Sequence, residues 1–129
     1  MLQWNPDIVV IKLGTNDSKP QNWQYKNEFV DNYIELIDSF RKLPGRPVIF
    51  ICYPIPVFEE NWGINATVVE NEILPMIDQI ARKSKVKIID LFSAFEGKGP
   101  LVPDGVHPDA AGATILASTV YGAVHKASR

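Results

Sequence analysis

Cysteine is almost absent from this chain. Cys52 is the only one in 129 residues, so an intrachain disulfide is impossible and redox chemistry says nothing about compartment. It lies in the apolar run Val48-Ile49-Phe50-Ile51-Cys52-Tyr53, where a buried, inert thiol is expected rather than a catalytic one. No apolar stretch reaches the roughly 18 residues that span a bilayer. The N-terminus, Met1-Leu2-Gln3-Trp4-Asn5-Pro6, has neither a basic flank nor an apolar signal core. Basic runs are missing too, and a net charge of -2 gives no electrostatic case for binding nucleic acid or an anionic membrane. No glycine-rich phosphate loop of the Walker or dinucleotide type is present. There are only two histidines, and His125 sits near the far end of the last helical pattern, so a metal site lacks its third ligand.

What is there is ordinary for a globular protein: 46% hydrophobic and 22% charged residues, enough for one domain, taken as residues 1–129. Residues 8–13, Ile-Val-Val-Ile-Lys-Leu, form a β-branched run closed by Gly14. They read as a strand buried on both faces, as in parallel sheets. A polar loop follows to Trp23. Phe29, Val30, Tyr33, Ile34, Ile37 and Phe40 then recur at helical spacing up to Pro44-Gly45. Residues 47–53 make a second buried strand, and Asn65 suits the N-cap of a helix running to about residue 84. Val69, Ile73, Ile77 and Ile80 line one face of that helix, and Pro75 should kink or split it. Residues 86–90 are a third strand, and residues 91–103 are irregular. Pro108 suits the first turn of a last helix, whose buried stripe is Ile115, Leu116, Thr119, Val120 and Ala123. Alternating strands and helices imply an α/β fold, a three-layer α/β/α arrangement around a parallel sheet of three sequential strands. The first strand would then carry an unpaired edge, a possible surface for self-association.

In such sheets ligands bind at the carboxyl ends of the strands. Two loops belong there. In Gly14-Thr15-Asn16-Asp17-Ser18 the glycine permits a sharp turn, and the Asn16 amide can direct an N–H toward an oxyanion; a plain polar turn is the alternative. In Pro103-Asp104-Gly105-Val106-His107-Pro108, a bend at Gly105 lets the Asp104 carboxylate accept a hydrogen bond from one imidazole nitrogen of His107, leaving the other free as a general base. A turn with a surface histidine is the alternative there.

The Gly-x-Asn-Asp block at residues 14–17 and the Asp-x-x-His-Pro block at residues 104–108 together resemble the SGNH (GDSL-like) hydrolase superfamily. The loops look most like its bacterial carbohydrate or sialate O-acetylesterase members. The resemblance implies the flavodoxin-like fold of that superfamily and a serine esterase that hydrolyses small acyl esters, acetyl in particular, with an acetylated carbohydrate as substrate. It implies His107 as general base, Asp104 as its orienting partner, and Asn16 and Gly14 at the oxyanion hole. It implies no metal and no organic cofactor. The family's Gly-Asp-Ser nucleophile block has no counterpart here. The chain starts just before what would be the family's third strand, so the N-terminal strands are missing and no activity is expected of the chain alone. Ser18 is the only serine on the right loop and is a weak substitute nucleophile; Ser93 is no better placed, and Ser39, Ser84, Ser118 and Ser128 lie away from the cleft. A non-catalytic binding module derived from the same fold is the competing reading. The compartment is left open, with a soluble chain from a secreted or periplasmic parent as the expectation.

Overall fold

The structure is a computed structural model that describes residues 4–127. Residues 1–3, Ser128 and Arg129 lie outside the described residues. Three strands, β1 (Ile8–Ile11), β2 (Val48–Tyr53) and β3 (Lys87–Asp90), form one parallel sheet in the order β1-β2-β3. Ile8 pairs with Val48 and Ile11 with Ile51, while Phe50 pairs with Lys87 and Tyr53 with Asp90. The central strand explains its own composition. Successive side chains point to opposite faces, and both faces of β2 are covered. Ile49 and Ile51 enter one core, with Tyr33 and Ile37 of α2 (Phe29–Arg41) and Ile77 and Ile80 of a later helix. Phe50 and Cys52 enter the other, with Ile89, Leu91, Phe95 and Val102. Burying isoleucines such as these contributes roughly 1.5–3 kcal/mol each. Cys52 is buried as expected, and burial pushes its thiol up to about 11, against the opposing field of Lys12.

The expectation that the first strand is buried on both faces is not met. Ile11 is buried and Val9 packs against the α2 core, but Ile8 and Val10, on the opposite face, are 39% and 37% exposed. The helix on that side, α6 (Ala110–Ala127), lays Ile115, Leu116, Val120, Ala123 and Val124 against the core under β2 and β3 and leaves β1 uncovered. Val48 and Leu13 are exposed along with it. The outer edge of β1 has no strand beside it among the described residues.

At Pro75 the helix changes its winding without a gap in the chain of helical residues. Residues 66–84 run continuously through α3 (Ala66–Val68), a π-helical turn (Val69–Ile73) and α4 (Leu74–Ser84). A proline inside a helix has no N–H for the carbonyl four residues back, and its ring crowds that carbonyl. Here the chain widens by one residue per turn directly before the proline, which then sits in the first turn of α4. The expected cap is present: the Asn65 side chain accepts from the Val68 N–H at 2.9 Å. Two segments read as irregular contain short helices, α1 (Pro20–Trp23) and α5 (Leu91–Ala94). The last helix begins two residues after Pro108, because the Asp109 side chain accepts from the Gly112 N–H at 2.8 Å and caps it. Among the described residues, no helix is long and apolar enough to cross a membrane.

Candidate active site

The chain carries its own tool for building the loop after β3. Asp104 Oδ1 accepts from the Val106 N–H at 2.8 Å and from the His107 N–H at 2.6 Å, so a single carboxylate oxygen closes the turn. The other oxygen, Oδ2, lies 2.8 Å from His107 Nδ1. The His107 N–H, the Val106 N–H and the His107 ring together hold the Asp104 carboxyl down at about 2. An ionised carboxylate can only accept, so Nδ1 carries the hydrogen in that bond, and the neutral ring leaves Nε2 bare. Val106 is buried and anchors the loop, while His107 faces outward.

A second segment clamps this loop from outside. The Phe58 N–H donates to the Gly105 carbonyl at 2.8 Å, and Asn61 Nδ2 donates to the Asp104 carbonyl at 2.6 Å. Gly105 has φ +82°, and a Cβ there would lie 2.3 Å from Glu59 Cβ and 2.5 Å from the Glu59 nitrogen. Only glycine fits between the two segments. Trp62, from the same clamp, sets its ring 5.6 Å from the His107 ring, with the planes at 61°.

The loop after β1 comes to the same place. Gly14, Thr15, Asn16 and Asp17 line a cleft of about 180 Å³ together with Lys12, Leu13, Ile55, Val106 and His107. Gly14 is buried, and a Cβ on it would press 2.9 Å from Ile73 Cγ2. The Asn16 carbonyl accepts from Asn22 Nδ2 at 2.9 Å and from the Lys19 N–H, which fixes the turn. No hydrogen bond among the described residues engages the Asn16 side-chain amide. Partial burial raises the Asp17 carboxyl, with its own backbone N–H opposing the shift. The structure therefore gathers Gly14, Asn16 and His107 on one cleft, with Asp104 behind His107.

Ser18 is not brought to that cleft. It is 2% exposed, its hydroxyl donates to the Thr15 carbonyl at 2.7 Å, and it accepts from the Asn65 N–H at 2.9 Å. It ties the β1 loop to the start of α3. Ser93 pairs with Asp90 at 2.7 Å as part of the α5 cap. Among the described residues, Thr15 is the one hydroxyl side chain in the cleft lining, and it makes no hydrogen bond to His107. His125 stacks on Tyr121 along α6. Among the described residues, no three His, Cys, Asp or Glu side chains cluster as metal ligands would. Ile55, Val106 and Trp62 did not stand out in the sequence. Their only signal was apolar residues in turn-rich segments, which says nothing about where a loop folds back.

With this geometry in hand, the relatives are informative. Residues 1–115 match the GDSL-like Lipase/Acylhydrolase family. The chain belongs to that family. An acetylxylan esterase of Xylanibacter ruminicola is 38% identical over 141 residues, an alignment that takes in 95% of this chain and 29% of that protein. Among solved structures, the acetyl xylan esterase AlAXEase superposes with a TM-score of 0.74 at 22% identity, over 93% of this GDSL-like chain and 68% of its own. Axe2, an acetylxylan esterase from Geobacillus stearothermophilus, gives 0.68 at 21%, over 91% and 58%. These superpositions establish the shared α/β fold. The chain spans less than a third of the length of the Xylanibacter relative.

Proposed function

We propose that this chain is the acid–base and oxyanion portion of a serine esterase acting on acetylated carbohydrate, forming a single domain of the GDSL-like fold together with a segment outside this sequence. The observation that carries the reading is the convergence of a bare imidazole nitrogen, oriented by Asp104, and the uncommitted Asn16 amide on one cleft. The 38% identity to an acetylxylan esterase supports an acetyl ester as substrate.

In this reading the steps are those of a serine acyl transfer. His107 Nε2 takes the proton of a serine hydroxyl as its oxygen attacks the acetyl carbonyl. The carbonyl oxygen becomes an oxyanion and accepts from Asn16; a donor of this kind lowers the barrier by roughly 3–4 kcal/mol. The resulting imidazolium, paired with Asp104, gives its proton to the departing sugar oxygen. An acetyl-serine ester remains. His107 then deprotonates a water that attacks this ester, and acetate leaves as the serine recovers its proton.

Among the described residues, the cleft lining contains no serine. Two structures of Axe2 described as catalytic mutants replace a serine near its N-terminus in one case and a histidine in the other with alanine. In this reading His107 is the counterpart of that histidine, and the serine arrives on a segment that pairs with the open edge of β1. The exposed Ile8, Val10, Leu13 and Val48 are the apolar surface such a segment would cover. A second copy of this chain is the other possible occupant of that edge. Size-exclusion chromatography decides between them: a concentration-dependent dimer would give the edge to self-association.

Acetate release from 4-nitrophenyl acetate and acetylated xylan tests the activity. The chain alone should show no turnover that depends on His107. Fused behind the N-terminal portion of the Xylanibacter relative, it should turn over, with His107→Ala reducing kcat by a factor on the order of 10⁴. A folded but inactive fusion removes the esterase reading and leaves a binding module. Turnover by the chain alone that His107→Ala abolishes removes the external serine, and Thr15→Val would then be the next substitution to make.

A further inference from the structure

Trp62 sits in a conformation that its own chemistry does not favour. Its φ is +57°, in the left-handed region that bulky side chains avoid. The residue is 59% exposed and belongs to neither apolar core, so burial does not compensate. The loop nonetheless holds it. Asn61, directly before it, is bonded to the Asp104 carbonyl, the Ile64 N–H returns to the Asn61 carbonyl at 3.0 Å, and Glu60 accepts from the Ala66 N–H at 2.9 Å. The result is an open indole beside the His107 ring. Strain kept at an exposed aromatic next to a candidate catalytic group points to something the ring meets from solvent.

We propose that the exposed face of Trp62 is a stacking platform for a neutral pyranose ring, the sugar that carries the ester. This rests on the reading of the cleft as an ester-hydrolase site. The chemistry sets the side. Asn16 is assigned to the carbonyl oxygen, and His107 returns the proton to the alcohol oxygen. The group bonded to that oxygen therefore lies on the His107 side, where Trp62 stands. A flat indole matches the C–H face of a pyranose and keeps water from it. Glu59 and Glu60, both exposed on the same loop, and the Asp104 carboxylate behind His107 outnumber the two cations nearby, Lys19 against Gly63 and Lys12 in the cleft lining, and this balance favours a neutral sugar over a uronate.

The test titrates the full ¹⁵N-labelled chain with xylotetraose, which has no ester, and follows the indole N–H signals by NMR. The Trp62 signal, assigned by its loss in Trp62→Phe, should shift saturably. Trp62→Ala should weaken the dissociation constant about fivefold to tenfold, and Trp62→Phe should stay within about twofold of wild type. A tetragalacturonate should bind more weakly than xylotetraose. The proposal is overturned if the sugar shifts the 14–17 loop but not Trp62, if Trp62→Ala binds as wild type does, or if wild type shows no saturation by about 50 mM. A ring that only props His107 would leave sugar affinity unmoved in Trp62→Ala while displacing the His107 amide signal. The esterase reading is decided separately by 4-nitrophenyl acetate, which carries no sugar, so either reading can fail without the other.

Discussion

Replacing Gly105, buried between two loop segments, with alanine should damage the molecule more than the added single methyl suggests. The backbone there has φ +82°, and holding an alanine in that region costs about 1–2 kcal/mol. The added methyl would lie 2.3 Å from Glu59 Cβ, 2.5 Å from the Glu59 nitrogen and 2.7 Å from its Cα. Those are backbone atoms and a Cβ, which have no rotamer to escape into, so the 58–64 segment itself must move, at about 1–3 kcal/mol. Less entropy lost from a stiffer unfolded chain returns about 0.4–1 kcal/mol. The net expectation is a loss of about 1–5 kcal/mol in urea unfolding, accompanied by rupture of the Phe58–Gly105 hydrogen bond. Gly97 supplies the control. It has φ +72°, but a Cβ there meets nothing within 4 Å. Gly97→Ala should therefore show the backbone cost alone, about 1 kcal/mol or less. If Gly105→Ala unfolds at the same urea concentration as Gly97→Ala, the clamp on the Asp104 loop is not as tight as the distances require.

Two further outcomes follow from the site. The Asp104 carboxyl sits at about 2 when folded, against an ordinary 3.8, so its contribution to stability is complete above the ordinary value and is lost as the pH falls toward 2; a ¹³C carboxyl titration with a midpoint near 4 would contradict this, and Asp104→Asn should flatten that part of the acid limb while moving the His107 hydrogen from Nδ1 to Nε2, visible in the ring ¹⁵N shifts. Ser18→Ala should cost about 1–3 kcal/mol by leaving the Asn65 N–H without its acceptor, and it should leave turnover by the active fusion in place once stability is allowed for; loss of turnover from a stable variant would make Ser18 a nucleophile after all.

What could be read in the sequence was what the chain decides locally. The apolar run of β2 implied burial on two faces because every residue in it is apolar, and Ile49 and Phe50 do go to opposite cores. The helical stripe at Val69, Ile73, Ile77 and Ile80 is fully buried as its spacing required. Composition could not show that β1, equally apolar, would have one face open. The same residues suit a covered strand and an uncovered one, and the difference lies in where α6 ends up. The π-turn before Pro75 was equally hidden, because breaking, kinking and widening all satisfy a missing N–H.

The site divides along the same line. Asp104 reaches the N–H groups two and three residues ahead and the ring of the residue whose N–H it holds. Those three bonds all close within four residues, so the spacing Asp-x-x-His was enough to anticipate them. Its meeting with Gly14 and Asn16 needed one more fact. Parallel strands point their carboxyl ends the same way, and both loops follow such strands. Trp62 obeys neither rule. It reaches His107 because Asn61 and Phe58 bond to residues more than forty positions away in the chain, and no short pattern records bonds of that range. The acid–base pair is thus a local device, while the surface beside it is assembled by tertiary contacts. A family member could retain the first and change the second. Substitutions in the 58–64 loop should therefore change which sugar is bound, read from the Trp62 indole shifts, while the Asp104–His107 hydrogen bond stays intact.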